Sequence, residues 1–212
     1  MQIKNLILVG GGGHCKSVIN IAENEGFNIL GILDTPENIG KEVLGYKIIG
    51  TDDNICDYAE NTLFIVTIGH IIDVSQRIAI HNKIMETGGK FATIISSSAQ
   101  VSRYSKIGYG TVIMHQAVVN ADAAVGNGCI INTFANIEHD SVVEDYCHIS
   151  TGAMINGDCF IGKGSFIGSQ SVLSNGVTIT NDCIIAAGSF IRKSIYQKGI
   201  YAGNPAVLLK KL

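Results

Sequence analysis

Six histidines carry most of the reactive side-chain chemistry in this sequence: His14, His70, His81, His115, His139 and His148. His139 is followed directly by Asp140. A neutral imidazole with an ordinary pKa of about 6.5 can take a proton at neutral pH, and a neighbouring carboxylate can fix its tautomer and favour the imidazolium as it forms. His14 follows the run Gly10-Gly11-Gly12-Gly13, and such a turn opening a helix exposes backbone N–H groups suited to phosphate. The six cysteines, Cys15, Cys56, Cys129, Cys147, Cys159 and Cys183, contain no C-x-x-C pair. Four of them stand 18, 12 and 24 residues apart, all multiples of six. They read as reduced, small core residues rather than metal ligands or disulfides.

That spacing belongs to a repeat. Stepping by six from Ile95 gives Val101, Ile107, Ile113, Val119, Val125, Ile131, Ile137, Val143, Ile149, Ile155, Ile161, Ile167, Leu173, Ile179, Ile185 and Ile191. All seventeen positions are aliphatic, whereas Ile, Val and Leu make up 59 of 212 residues, so chance would supply about five. The position four after each aliphatic is Ala, Ser, Thr or Cys in fifteen of sixteen cases, Val177 being the exception. Strand side chains alternate faces, so the small residue and the aliphatic two later point into one core. A six-residue unit is too short for a helix pair. The pattern predicts a parallel β-helix with three hexads per triangular coil, in which residues 18 apart stack about 4.8 Å from one another.

The first 94 residues read differently. Strands are expected at 3–9, 28–33, 63–68 and 91–94, with helices at 14–25 and 75–86, an alternation that makes a small parallel α/β sheet. As a dinucleotide fingerprint the glycine run is imperfect, because Cys15 stands where the third glycine of G-x-G-x-x-G belongs. Asp34 ends the second strand 24 residues after Gly10, near the carboxylate that holds a ribose hydroxyl in that motif. Ninety residues amount to half a Rossmann unit, adequate for one nucleotide rather than NAD. Gly69 and His70 follow the third strand, at the strand end where α/β ligands bind. Between phosphate contact and helix capping, His14 stays open; His81 is expected on a solvated helix face. His115 shares the hexad position of His139, but 24 residues put it on another face of the prism.

Net charge is −3, so no basic field exists for nucleic acid. No apolar run approaches the 18 or so residues of a membrane span, and Met1–Gly10 has no charged n-region with a cleavage site. A soluble cytoplasmic protein is expected. The organisation reads as an α/β unit over 1–94, a β-helix over 95–193 and a short C-terminal tail over 194–212.

The repeat resembles the hexapeptide acyltransferases, which implies a left-handed β-helix, a homotrimer and acetyl-CoA bound in grooves between neighbouring prisms. The tail segment Gly203-Asn204-Pro205-Ala206 is similar to the G-x-P-A found after the β-helix in many of them. The joined architecture resembles, over essentially the whole chain, the PglD/NeuD-like sugar O/N-acyltransferases. These acetylate UDP- or GDP-linked 4-amino sugars or, in related members, sialic acid hydroxyls. The match is carried by Ile131-Asn132-Thr133-Phe134-Ala135-Asn136-Ile137-Glu138-His139-Asp140, then Cys147-His148-Ile149-Ser150 and Asn156-Gly157.

By that resemblance His139 is the general base and Asp140 its support, Asn132 contacts the sugar, His148 contacts acetyl-CoA, and Gly157 offers its N–H to the acetyl carbonyl. Gly10, Gly12, Gly13, His14, Asp34, Gly69 and His70 would line the nucleotide-sugar site. The spacing agrees: Gly157 is 18 after His139 and should stack above it, while His148 is half a coil away and reachable only from another subunit. Uridine is the preferred base, with GDP and dTDP sugars open, since Asp34-Thr35 and His70 depart from the Asp-Asp and Asn of several relatives. Gamma-class zinc carbonic anhydrases share only the repeat, and their histidine ligands lie closer together than the nine residues between His139 and His148, so no metal is expected. Two other readings remain, a sialic acid-type O-acetyltransferase and a non-catalytic nucleotide-sugar-binding trimeric scaffold.

Overall fold

The computed structural model describes residues 4–212. The N-terminal unit contains β1 (Lys4–Val9), α1 (Gly13–Asn24), β2 (Phe27–Leu33), β3 (Glu42–Val43), β4 (Tyr46–Gly50), α2 (Ile55–Tyr58), β5 (Leu63–Val66), α3 (Ser75–Glu86) and β6 (Lys90–Phe91). The expected first strand began at residue 3, which lies outside the described residues. Sheet order is β3-β4-β2-β1-β5-β6, parallel throughout except for the short β3/β4 pair. Leu6, Ile7 and Leu8 of β1 have no exposed surface. A central parallel strand covered on both faces calls for this kind of continuous apolar run. The β3/β4 pair and α2 were not expected; they occupy the stretch between the second and third strands of the sequence reading.

From Ile94 onward the chain forms seventeen two-residue strands, ending at Phe190–Ile191, each with one aliphatic hexad position as its second residue. Each strand up to Val172–Leu173 pairs in parallel with the strand 18 residues on, as in Val112↔Ile130 and Asn136↔Met154. Three sheets result, and the architecture is a left-handed parallel β-helix. The first face starts at Ile94–Ile95, the second at Gln100–Val101 and the third at Lys106–Ile107. A hairpin of Gly199–Gly203 and Ala206–Lys211 extends the first face at its far end.

Two features explain why hexads adopt this shape. The aliphatic and small positions together form one continuous core, with Ile113, Ile131, Ile137, Ile149 and Ile155 fully buried. Each isoleucine removed from water contributes roughly 1.5–3 kcal/mol. From Ile107 to Ile185 the residue three after each aliphatic takes positive φ, at every sixth position from Gly110 to Gly188. Glycine fills six of these positions and Asp, Gln, Phe or Tyr the other eight; Asp140 is one, at φ 62°. Such left-handed residues turn the chain at each corner.

The small positions do more than fit. Ser141 Oγ donates to Asn156 O at 2.9 Å and accepts from Cys159 N at 3.1 Å. Thr111 makes the same pair of bonds to Gly126 O and Cys129 N. Hydroxyls at these corners thereby satisfy backbone groups of the next coil, which accounts for Ser and Thr inside an otherwise apolar column.

The α/β unit packs on the first face alone. Outward residues of that face, Ile94, Val112 and Ile130, are buried beneath it. Corresponding positions on the second and third faces, Met154, Val142 and Phe160, remain 36–40% exposed.

Candidate active site

His139 sits at the corner between the second and third faces, just past the strand Asn136–Ile137. That corner is opposite the face carrying the α/β unit. His139 Nδ1 donates to Asp140 Oδ2 at 2.7 Å, and both side chains are more than half exposed. The left-handed turn at Asp140 brings its carboxylate back onto the preceding ring. This bond, with the charges of Asp140, Glu138 and Asp158 behind it, holds the His139 pKa above the ordinary imidazole value. Because Nδ1 carries the proton, Nε2 is left with its lone pair.

Gly157 stands where the 18-residue spacing put it. A Cβ at Gly157 would lie 2.8 Å from His139 Nε2 and 2.7 Å from Cε1, with Asn175 Nδ2 at 3.3 Å on the other side. Glycine is therefore required by contact with the ring rather than by backbone conformation. Its N–H finds no acceptor among the described residues, which leaves a backbone donor beside a basic nitrogen. Glu138, part of the recognised motif but given no role, accepts from Asn120 Nδ2 at 2.8 Å and Asn136 Nδ2 at 3.1 Å. These bonds lower its pKa and keep a fixed carboxylate next to His139.

The second cluster lies at the junction of the α/β unit with the first face. His148 donates from Nδ1 to His70 O at 2.9 Å, and its Nε2 faces Asn132 Nδ2 at 3.4 Å. The ring of His70 packs 5.7 Å from that of His148. Burial, with the nearby Arg77 charge, lowers the pKa of His14 and His70 to about 3. His148 falls to about 4 by burial, opposed by its bond to His70. All three are neutral bases at cellular pH.

A cleft of about 420 Å³ opens at the carboxyl ends of β1, β2 and β5, lined by Gly10 to Gly13, His14, Asp34, Thr35, Asn38, Thr67, Ile68, Gly69 and Gln76. Beyond it a smaller hollow of about 190 Å³ reaches between Leu33–Pro36 and Thr51–Asp53. A Cβ on Gly10 would strike Ile68, and one on Gly11 would meet Asp34 Oδ2 at 2.5 Å. Gly12 and Gly13 face open space. Asp34 accepts from Gly11 N at 2.8 Å through one oxygen and from Thr35 N at 2.7 Å through the other. Its first task is thus to shape the glycine turn. His14 makes no capping bond, for α1 starts from Gly12 without a side-chain cap.

The PglD N-terminal domain family matches residues 5–84, and the bacterial transferase hexapeptide family matches residues 158–193. No curated protein is significantly similar to the chain. Among solved structures, the acetyltransferase domain of PglB from Neisseria gonorrhoeae FA1090 is 30% identical over 97% of this chain and 100% of that one, with a TM-score of 0.90. The chain belongs to the PglD-like family of hexapeptide-repeat acetyltransferases. It is an acyltransferase. PerB from Caulobacter crescentus, solved with CoA and GDP-perosamine, is 29% identical over 97% of each chain, with a TM-score of 0.89. WeeI from Acinetobacter baumannii AYE, at 19% identity, shares the fold over 97% of this chain with a TM-score of 0.86.

Within this acetyltransferase the structure brings His139, Asp140 and Gly157 together at one corner. His14, His70, His148 and Asn132 gather at the junction instead, beside the glycine cleft. His115 lies at the corner between the first and second faces and contacts Ser96 Oγ and Asn20 Nδ2, away from His139. His81 overturns the expectation of a solvated side chain: it is fully buried, stacked on Phe91 at 4.6 Å and edge-on to Tyr146. It falls on the buried stripe of α3 with Arg77, Ile80 and Ile84; the two isoleucines pack into the sheet core, whereas Arg77 and His81 reach the β-helix at Gly128 and Tyr146. Arg77, unassigned from sequence, is 1% exposed and donates to Ile68 O and Gly128 O, tying the cleft wall to the β-helix. Among the described residues no group of three side chains could hold a metal ion, and no helix is long and apolar enough to cross a membrane.

Proposed function

We propose that this protein transfers the acetyl group of acetyl-CoA to the 4-amino group of a nucleoside-diphosphate amino sugar, with UDP the preferred carrier and His139 the general base. The observation that carries the proposal is the His139 pair: Nδ1 fixed by Asp140, and Nε2 close against Gly157, whose N–H has no acceptor among the described residues. PglB has also been solved with acetyl coenzyme A, and PerB with CoA and GDP-perosamine, ligands of the required classes.

In this mechanism the sugar amine attacks the thioester carbonyl carbon while His139 Nε2 accepts the amine proton. The Gly157 N–H meets the developing oxyanion, a contribution for which loss of the donor typically costs about 10²-fold or more. Asp140 stabilises the imidazolium. Collapse of the tetrahedral intermediate expels the CoA thiolate, which takes the proton from His139. Asn132 contacts the sugar and His148 the acetyl-CoA arm, while the cleft from Gly10 to His14, with Asp34 and Gly69 and with His70 buried beside it, holds the nucleotide.

Since the cleft and His139 lie on opposite sides of one prism, the site is assembled from two protomers of a homotrimer. The exposed Met154, Val142 and Phe160 on the two free faces suit packing between prisms. Sedimentation equilibrium should give about 67 kDa, three times 22.5 kDa. His139→Ala should lower kcat by roughly 10²- to 10⁴-fold, the range for a general base, with little change in KM for acetyl-CoA. A stable, fully active monomer, or a His139→Ala enzyme with near-normal kcat, would overturn this reading.

A further inference from the structure

We propose that Arg77 is the buried counter-charge for the diphosphate of the nucleotide in the glycine cleft. The proposal rests on the reading that this cleft takes a nucleoside diphosphate. The lining of the cleft contains no Lys or Arg; its one ionised side chain, Asp34, is negative. The open end of α1 offers N–H groups and the equivalent of about half a positive charge, with no acidic residue in its first turn. Two or more negative charges arriving there need more than that.

Arg77 supplies it from behind the wall. The guanidinium is 1% exposed, and the residues facing it from every packed element are neutral: His14 on α1, His70 after β5, His81 on its own helix, and Cys129, Tyr146 and His148 on the β-helix. Among the described residues it has no carboxylate partner, and its Nε has no acceptor. Burying a charge without a counter-ion is costly, and such groups are normally paired. The carbonyl it grips, Ile68 O, belongs to the cleft wall, and His14, which lines the cleft with an unpartnered Nε2, lies within reach of its charge. Through a low-dielectric wall of this kind a fixed charge acts strongly and is poorly screened by salt.

The test measures binding of UDP and GDP, with uridine and guanosine as uncharged controls, to the wild-type protein and to Arg77→Met, Arg77→Gln and Arg77→Lys. Removing the charge should weaken the tighter-binding diphosphate at least about tenfold, or roughly 1.4 kcal/mol, and change its nucleoside by less than about twofold. Arg77→Lys should recover part of the loss. Equal losses for diphosphate and nucleoside would reduce Arg77 to a packing role and overturn the proposal, as would unchanged diphosphate affinity. If Arg77→Met does not fold, Arg77→Gln keeps an amide donor for one of the two carbonyls and gives the same comparison. A readout without mutation is the diphosphate-over-nucleoside increment of the wild type between about 0.05 and about 0.5 M salt. It should fall less than threefold or so, because a buried charge is weakly screened; collapse of the increment would point to surface charges instead. A wild-type protein that binds neither UDP nor GDP would refute the nucleotide reading of the cleft itself, a different result from either failure above.

Discussion

Gly157→Ala isolates the contact between one backbone position and the base. The new Cβ would meet His139 Cε1 at 2.7 Å and Nε2 at 2.8 Å, whereas non-bonded carbons settle at about 3.5 Å or more. The ring must therefore retreat by about 0.8 Å, or the coil above must rise. The ring is the softer choice, being more than half exposed and held by one hydrogen bond, whereas the coil is fixed by backbone ladders on both sides. Displacement of about 1 Å from a productive geometry can cost 10²-fold in rate. The variant should accordingly lose roughly 10- to 100-fold in kcat while keeping the Gly157 N–H and its melting temperature. Steady-state kinetics with a 4-amino nucleotide sugar, followed by free-thiol release from acetyl-CoA, would measure this. The double variant with His139→Ala should be no slower than His139→Ala alone, because the alanine acts through the ring. Full additivity of the two losses, or an effect confined to KM for acetyl-CoA, would refute the reasoning.

Asp140→Asn keeps the left-handed turn, which asparagine tolerates, but removes the charge that raises the His139 pKa. Below its pKa the base is protonated and inactive, so the acid limb of kcat/KM should lie above pH 6.5 or so in the wild type and move toward lower pH in the variant. A limb that stays in place would assign it to the substrate amine. The fold should also be acid-labile. His14, His70 and His81 titrate near 3 and His148 near 4 when folded, against about 6.5 unfolded, so the unfolded chain binds more protons below pH 6.5. Each contributes up to about 1.4 kcal/mol of lost stability per pH unit in the window from about 6.5 down to 4. Urea unfolding at fixed protomer concentration should show this slope, and a flat profile would contradict the buried neutral histidines.

The β-helix was legible because its signal is repeated seventeen times and depends only on side-chain size and a period of six. The stacking of Gly157 on His139 followed from the same arithmetic. What escaped was whatever depends on one element meeting another. His81 and Arg77 carry polar labels, yet they share a stripe with Ile80 and Ile84 at helical spacing, so the sequence did hold a sign that this face is covered. It could not say that the sheet covers the isoleucines while the β-helix covers the polar pair, with Gly128 O ready to accept from an arginine. Asp34 was read as a ribose ligand because it ends a strand; its bond to Gly11 depends on a turn whose path only the folded sheet fixes. Of the two carboxamides on Glu138, Asn136 stands two residues before it in the same motif, but Asn120 comes from the coil beneath, which a motif read along the chain does not reveal.

The vertical stacking of residues 18 apart also makes changes in chain length discrete. Inserting one hexad between Asp140 and Gly157 would carry Gly157 around to a different face and separate the donor from the base, although every hexad would still fold. Inserting three hexads there would keep the face but place Gly157 a further 4.8 Å or so up the prism. The same three hexads added above Gly157 would lengthen the prism by one coil and leave the corner untouched. This enzyme can therefore grow or shrink by whole coils only outside the span that links His139 to Gly157, and comparing lengths among its relatives should reveal steps of eighteen residues on either side of that span and none within it.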